Sequence, residues 1–235
     1  WRPRSICFSH APPESHAAYL RVFGMQALFN QDFDGIVCVA SDLNAPLPAD
    51  IDAAVPDIQL SNVTNQAFTI SWLSDATETG QVNWGTASGS LSNTSTDDRG
   101  ALTSSRLHYV SVTGLDSQTQ YFYQVVSGGT NVGSEATLTT GSLIFSAPSP
   151  NAISGQINSS TGTGIESIVY FNLRPAGSAD SSNDSPLYSA MTGSTGAFTV
   201  DLGAVRNNAG SAYMAHSNSN TIVVTAESGP IDSTF

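Results

Sequence analysis

Residues 68–72 read Phe-Thr-Ile-Ser-Trp, with Phe68, Ile70 and Trp72 alternating with Thr69 and Ser71, and in residues 121–123, Tyr-Phe-Tyr, the two tyrosines share one face of an extended chain. That period of two is how a strand with one buried face reads. A helix would bring every third or fourth residue to one face instead, and no long segment from about residue 153 to 230 shows that period. His108-Tyr-Val-Ser-Val-Thr-Gly-Leu115 alternates in the same way. The order Leu115, Thr119, Tyr121 also fits a tyrosine corner, in which a buried ring sends its hydroxyl back to backbone at the turn between two strands. These patterns predict an all-β chain built on sandwiches.

The 235 residues suit one large or two small domains. We read an N-terminal arm over 1–55, a first β-sandwich over 56–142 and a second over 143–235, two tandem Ig-like units. In the arm, Pro12-Pro13-Glu14 predicts the start of a short helix, with Leu20, Phe23, Ala27 and Leu28 as its apolar stripe. Pro46, Pro48 and Pro56 mark an extended exit from the arm, and Ser146-Ala-Pro-Ser-Pro150 reads as a hinge between the sandwiches. In the second sandwich, strands are expected at Ile153–Ile157, Ser167–Leu173, Gly196–Leu202 and Thr221–Thr225.

Charge narrows the function classes. The formal net charge is −12 and there is no lysine, which argues against nucleic acid or an anionic membrane surface as a partner. Internal lysine–asparagine crosslinks have no nucleophile here. Sparse charge with abundant Ser, Thr, Asn and Gly suggests an extracellular or cell-surface protein. No apolar run reaches the roughly 20 residues of a membrane span, and the chain opens on Trp1 and not on an export signal, the pattern of a processed or partial product.

Ile70-Ser-Trp72, Thr79-Gly-Gln-Val-Asn-Trp-Gly85, Leu107-His-Tyr-Val-Ser-Val-Thr-Gly-Leu115 and Thr119-Gln-Tyr-Phe-Tyr-Gln-Val-Val126 together resemble a fibronectin type III domain. It is the kind that also precedes purple acid phosphatases and recurs in bacterial surface proteins. The resemblance covers about 57–141 and implies strands B, C, E and F at those four runs, with Ser127-Gly-Gly129 turning into the last strand. From about 152 to 230 the chain resembles a carboxypeptidase-regulatory-like, transthyretin-type sandwich, on Val169-Tyr-Phe-Asn-Leu173 and Thr192-Gly-Ser-Thr-Gly-Ala-Phe198. Gly193 stands where that family commonly has an acid.

One loop has ligand-like spacing. Asn30, Asp32 and Asp34 followed by Gly35 resemble the opening of a dockerin-type calcium loop, which implies a backbone oxygen from Ile36 and a final acid. That last place holds Ser41, with Asp42 one residue late. Calcium is the cofactor such a loop would take; the plainer reading is an Asp-Gly turn. Cys7 and Cys38 are either a disulfide or two unpaired thiols. Sequons place candidate glycans on Asn62, Asn93, Asn158 and Asn183. Asp97-Asp98-Arg99-Gly100 reads as a solvated turn with weak surface pairing.

Catalytic groups are few. Four histidines, His10, His16, His108 and His216, are available for a Ser-His-Asp set, and none has zinc-ligand spacing around it. The expectation is therefore a non-enzymatic structural protein, a building block of a surface filament or envelope layer whose partners are copies of itself. The alternative is a module of a larger secreted hydrolase or adhesin that binds polysaccharide, with Trp84 and Tyr109 as its aromatic platform.

Overall fold

A computed structural model describes residues 5–12, 27–32, 35–37, 57–159, 161–178, 181–215, 217 and 219–228. The chain divides into two compact units, Trp1–Ala54 and Val55–Phe235. In the first, β1 (Ser5–Cys7) lies between a parallel β2 (Ala27–Leu28) and an antiparallel β3 (Gly35–Val37). The helix expected from Pro12 onward falls largely outside the described residues, and its last two apolar positions, Ala27 and Leu28, belong to β2. Their pairing with Ile6 and Cys7 decides their conformation over local spacing.

In the second unit the first sandwich comprises β4 (Gln59–Ser61), β5 (Ala67–Gly85), β6 (Asn93–Thr96), β7 (Ser104–Thr113), β8 (Gln120–Ser127) and β9 (Thr130–Thr139). The long β5 serves both sheets. Its first half pairs with β4 and β7, and its second half pairs with β6 and β8, which in turn pairs with β9. A register shift between Leu73 and Glu78 turns the strand from one sheet to the other. The expected strands B and C are the two halves of β5. Gly128 and Gly129, both at positive φ, make the two-residue turn from β8 to β9, a backbone that glycine adopts without a Cβ penalty.

The alternating residues meet between the sheets. Phe68, Ile70, Trp72, Val82, Val110, Val112, Tyr121 and Val125 form one buried cluster with Leu115, Tyr123 and Leu138. Burying such side chains contributes roughly 1.5–3 kcal/mol each, so the period of two in the sequence is the source of this fold's stability. The tyrosine corner is present: the Tyr121 hydroxyl accepts from Asp116 N–H at 2.9 Å.

The second sandwich places β10 (Ala152–Gln156) against β13 (Ala197–Asp201), and β11 (Ser167–Arg174) between β12 (Tyr188–Met191) and β14 (Thr221–Ser228). Phe171, Leu173, Tyr188, Val200, Leu202, Val205 and Met214 close its core. The Thr192–Phe198 motif carries the chain from β12 in one sheet to β13 in the other. Gly196 is required there, because a Cβ would stand 2.0 Å from Ile157 O at φ +73°.

Candidate functional site

The alternation that fills the first core leaves Thr69, Ser71 and Leu73 of β5, and Leu107 and Tyr109 of β7, on the opposite face. That face carries the second sandwich. Leu107 and Tyr109 cluster with Ile168 and Tyr170 of β11, with Leu73, Leu187 and Met191 around them. Strand β11 is thus buried on both sides, Ile168 and Tyr170 toward the first sandwich and Phe171 and Leu173 toward its own core.

Polar groups on this seam are paired, as burial demands. Ser61 and Ser189 hydroxyls lie 2.7 Å apart, and Ser71 Oγ lies 2.9 Å from the Tyr170 hydroxyl, which donates to Glu227 Oε2 at 3.3 Å. Burial pushes the Tyr170 phenol upward, and burial with Asp57 nearby raises the Glu227 carboxyl. Asn62 joins both sandwiches. Its Nδ2 lies 3.0–3.2 Å from Thr69 Oγ1, Tyr109 OH, Ser189 O and Ser189 Oγ, while its Oδ1 accepts from Ser189 N–H at 3.0 Å. At the far end Arg206, 3% exposed, donates to Ser142 O at 2.7 Å and Asn65 Oδ1 at 2.7 Å.

The turn after β6 differs from its expected solvated state. Asp97 is 2% exposed and accepts from Arg99 N, Nε and Nη2 at 3.0, 2.9 and 2.9 Å, and from Tyr109 N at 3.3 Å. Burial alone would raise its pKa, but the Arg99 hydrogen bonds and charge outweigh it and hold the carboxyl below the usual aspartate range. Arg99 also donates to Leu107 O and reaches Glu166 on the second sandwich at 3.2 Å.

Beside this pair the fold brings together a serine, a histidine and an aspartate. His108 Nε2 is 3.0 Å from Ser74 Oγ, and its Nδ1 is 3.9 Å from Asp97 Oδ2. The order is that of a hydrolytic triad, but the environment is a core. His108 is 0% exposed, stacked on Trp72 at 4.7 Å, and Ser74 is 3% exposed with its hydroxyl proton directed to Ala76 O at 2.7 Å. Burial pushes the imidazole below its ordinary value, with Asp97 opposing and Arg99 reinforcing the shift. No substrate carbonyl reaches this serine, and the set is a packing device.

Solvent-facing concavity gathers around one finger of the second sandwich. Arg206 and Tyr213 form a bridge closed by the Asn207–Gly210 turn. On one side lies an open cleft of about 760 Å³ lined by Asn183, Asn207, Asn208 and Tyr213. On the other side of Tyr213 is a second of about 420 Å³ against Ser146 and Ser149, and a third of about 660 Å³ shares Asn208 with Gln118 and Thr139.

The remaining sequence candidates are scattered. Asn30 (φ +56°) and Asp32 are exposed on the arm, with Asn30 N–H bonded to His10 O at 3.1 Å, and Ile36 sits in β3 opposite Ile6. Asp34 and Asp42 lie outside the described residues, as does Cys38, while Cys7 pairs with Gly35 in register. Of the sequons, Asn93, Asn158 and Asn183 are exposed, whereas the Asn62 amide is spent on the seam. Tyr109 is 8% exposed with its hydroxyl on Ser189, and Trp84 donates to Ser95 Oγ at 3.1 Å and packs on Tyr121. Neither is an exposed platform. Among the described residues no group of three or more His, Cys, Asp or Glu is placed to hold a metal ion. No helix among them is long and apolar enough to cross a membrane.

Two family models match parts of the chain. The purple acid phosphatase N-terminal domain matches residues 55–140, in line with the fibronectin type III-like sandwich seen there, and the arabinose-binding N-terminal domain of AraC transcription regulators matches residues 1–47. Neither reaches the second sandwich. No curated protein matches the chain. Among solved structures, the FN1-FN3 domains of chicken CNTN1 are similar at 14% identity and a TM-score of 0.25, over 74% of this chain and 62% of that one. The central fibronectin-III array of RIM-binding protein is similar at 14% identity and a TM-score of 0.27, over 75% and 59%. The chain thus spans about three fifths of the length of both, and likenesses this weak carry no argument about function.

Proposed function

We propose that this is a non-enzymatic extracellular structural protein, a building block of a surface filament, appendage or envelope layer that contacts copies of itself through its arm and sandwich edges. The observation that carries this reading is the seam. A strand buried on both faces makes the two sandwiches one block, the property a passive structural element needs, while the only Ser-His-Asp grouping met among the described residues is sealed from substrate. Fibronectin type III-like domains are generally extracellular structural or binding modules, which supports the placement outside the cell.

The edge strand β14 supports the contact. Its run Thr221–Ala226 carries no charge, Val223 and Val224 are 38% and 48% exposed, and an uncharged β-branched edge is an open template for another strand. Electron microscopy of the full chain at high concentration tests the reading: polymers that Val224→Lys or removal of residues before Asp57 disperses are expected, and isolated particles at every concentration would overturn it. The calcium reading of Asn30, Asp32, Asp34, Ile36 and Asp42 is tested by titrating calcium and following thermal stability. Mass analysis with and without reductant tests the Cys7–Cys38 bond.

The second reading is an accessory module that binds carbohydrate or a surface. The amide-lined clefts around the Asn207–Ala215 finger favour it. Retention of the full chain on immobilised polysaccharide tests it.

A further inference from the structure

The clefts flanking the finger share an unusual chemistry. On a chain with a formal net charge of −12, the described residues lining all three carry no charged side chain. They offer amides at Asn183, Asn208 and Gln118, hydroxyls at Ser146 and Thr139, and one half-buried ring, Tyr213, on the wall between the first two. Amides both donate and accept, so they match a ligand whose hydroxyls do the same. A phosphate, a carboxylate or a cationic peptide would find no counter-charge among these described lining residues. An apolar ligand would cover the amides and leave them unpaired, which disfavours it.

The finger is also held before any ligand arrives. Arg206 N–H donates to the Tyr188 hydroxyl at 2.8 Å, and Met214 N–H donates to Val205 O at 2.8 Å. Asn207 spends its side-chain oxygen on Ser211 N at 3.0 Å, and the exposed Asn208 has its amide anchored by Nδ2 donating to Ser182 O at 3.1 Å. Fixed side chains lose little freedom on binding, and rigid placement is what a specific site requires. Individual volumes of about 760, 660 and 420 Å³ lie within or near the range of small-molecule sites, and their adjacency along one finger suits a chain of several residues more than a single sugar.

We propose that the Asn207–Ala215 finger and its flanking clefts form a binding site for a neutral glycan chain, with the Tyr213 ring under a sugar face and Asn183 and Asn208 on its hydroxyls. This rests on the carbohydrate-binding reading given above and assigns its locus. The test is affinity electrophoresis of the full chain in gels containing xylan, glucomannan or hydroxyethylcellulose, with Tyr213→Ala, Tyr213→Phe and Asn208→Ala beside the wild type. The expected result is retardation in at least one gel, unchanged by 0.5 M sodium chloride as an uncharged interface requires (order of magnitude from the Debye length). Tyr213→Ala and Asn208→Ala should each weaken it about tenfold, the upper end of what one net hydrogen bond or one ring contact contributes. Tyr213→Phe should keep it within about threefold, since the ring remains. Near-ultraviolet circular dichroism confirms that each variant is folded. Retardation that Tyr213→Ala and Asn208→Ala leave intact overturns this site while sparing the carbohydrate reading. No retardation in any gel overturns both, and retardation abolished by salt overturns the neutral-ligand assignment.

Discussion

Replacing Asp97 by asparagine separates a buried ion pair from a surface one. The carboxylate takes four N–H donors, three from Arg99 and one from Tyr109, at 2.9–3.3 Å. An amide of the same shape keeps one oxygen for Arg99 N and Nε, but turns an NH2 group toward Arg99 Nη2 and Tyr109 N–H. Two donors then face donors, and the guanidinium keeps only Glu166 as an ionic partner. Breaking a buried pair by removing one charge costs about 3–5 kcal/mol, whereas exposed pairs are worth about 0–1 kcal/mol. Arg99 retains 22% side-chain exposure, so the loss should lie near the lower end, about 3 kcal/mol. With a urea dependence of about 2 kcal/mol per molar, the midpoint of unfolding should fall by about 1.5 M. A fall under about 0.5 M would refute the reasoning and restore the solvated turn. Acid supplies a second check. The folded-state pKa is below the unfolded value of about 3.9, so this stability is fully present above that value and is lost as pH falls through the folded one. Wild type and Asp97→Asn should therefore converge in strong acid.

Three further outcomes follow from the same region. Gly80→Ala would set a Cβ 2.4 Å from His108 Nδ1 and 2.7 Å from a Trp72 ring carbon, and should cost about 1–3 kcal/mol by urea unfolding with a changed near-ultraviolet tryptophan spectrum. His108 titrates below its ordinary value, so its contribution is complete above the unfolded pKa of about 6.5 and is lost as pH falls toward the folded one; Asp97, Arg99 and Glu78 face the ring. His108→Gln should flatten the urea midpoint between pH 7 and 5 relative to wild type. In a glycosylating secretory host, peptide mass mapping should find Asn62 bare even where Asn93 or Asn183 is modified, because a glycan on Nδ2 and the seam exclude each other.

Where the sequence was legible, one physical period was at work. Phe68, Ile70, Trp72, Tyr121 and Tyr123 alternate because one face of each strand packs in the apolar core, and the corner tyrosine follows from the same packing. Strand β12 was not legible, because Tyr188–Met191 is four residues with both a core tyrosine and a seam serine, a pattern no period describes. Asp97 and Arg99 misread for a related reason: a charged turn is solvated unless another part of the fold covers it, and the cover comes from the folding-back of the next strand, β7, and from Glu166, distant in sequence. The seam was hidden in plain polar letters, since Thr69, Ser71 and Asn62 bury through hydrogen bonds that only the partner sheet supplies. The finger clefts were equally silent, because Asn and Ser mark loops wherever they occur.

Asp57 and Glu227, near the two ends of the described part of the second unit, line one cleft of about 330 Å³. Strands β4 and β14 thus bring these two positions to neighbouring points, and tension applied between them would run past both cores without traversing them. A tether made from such blocks would gain almost no reach per unit. An assembly that has to bear load must therefore pass the force sideways, from block to block.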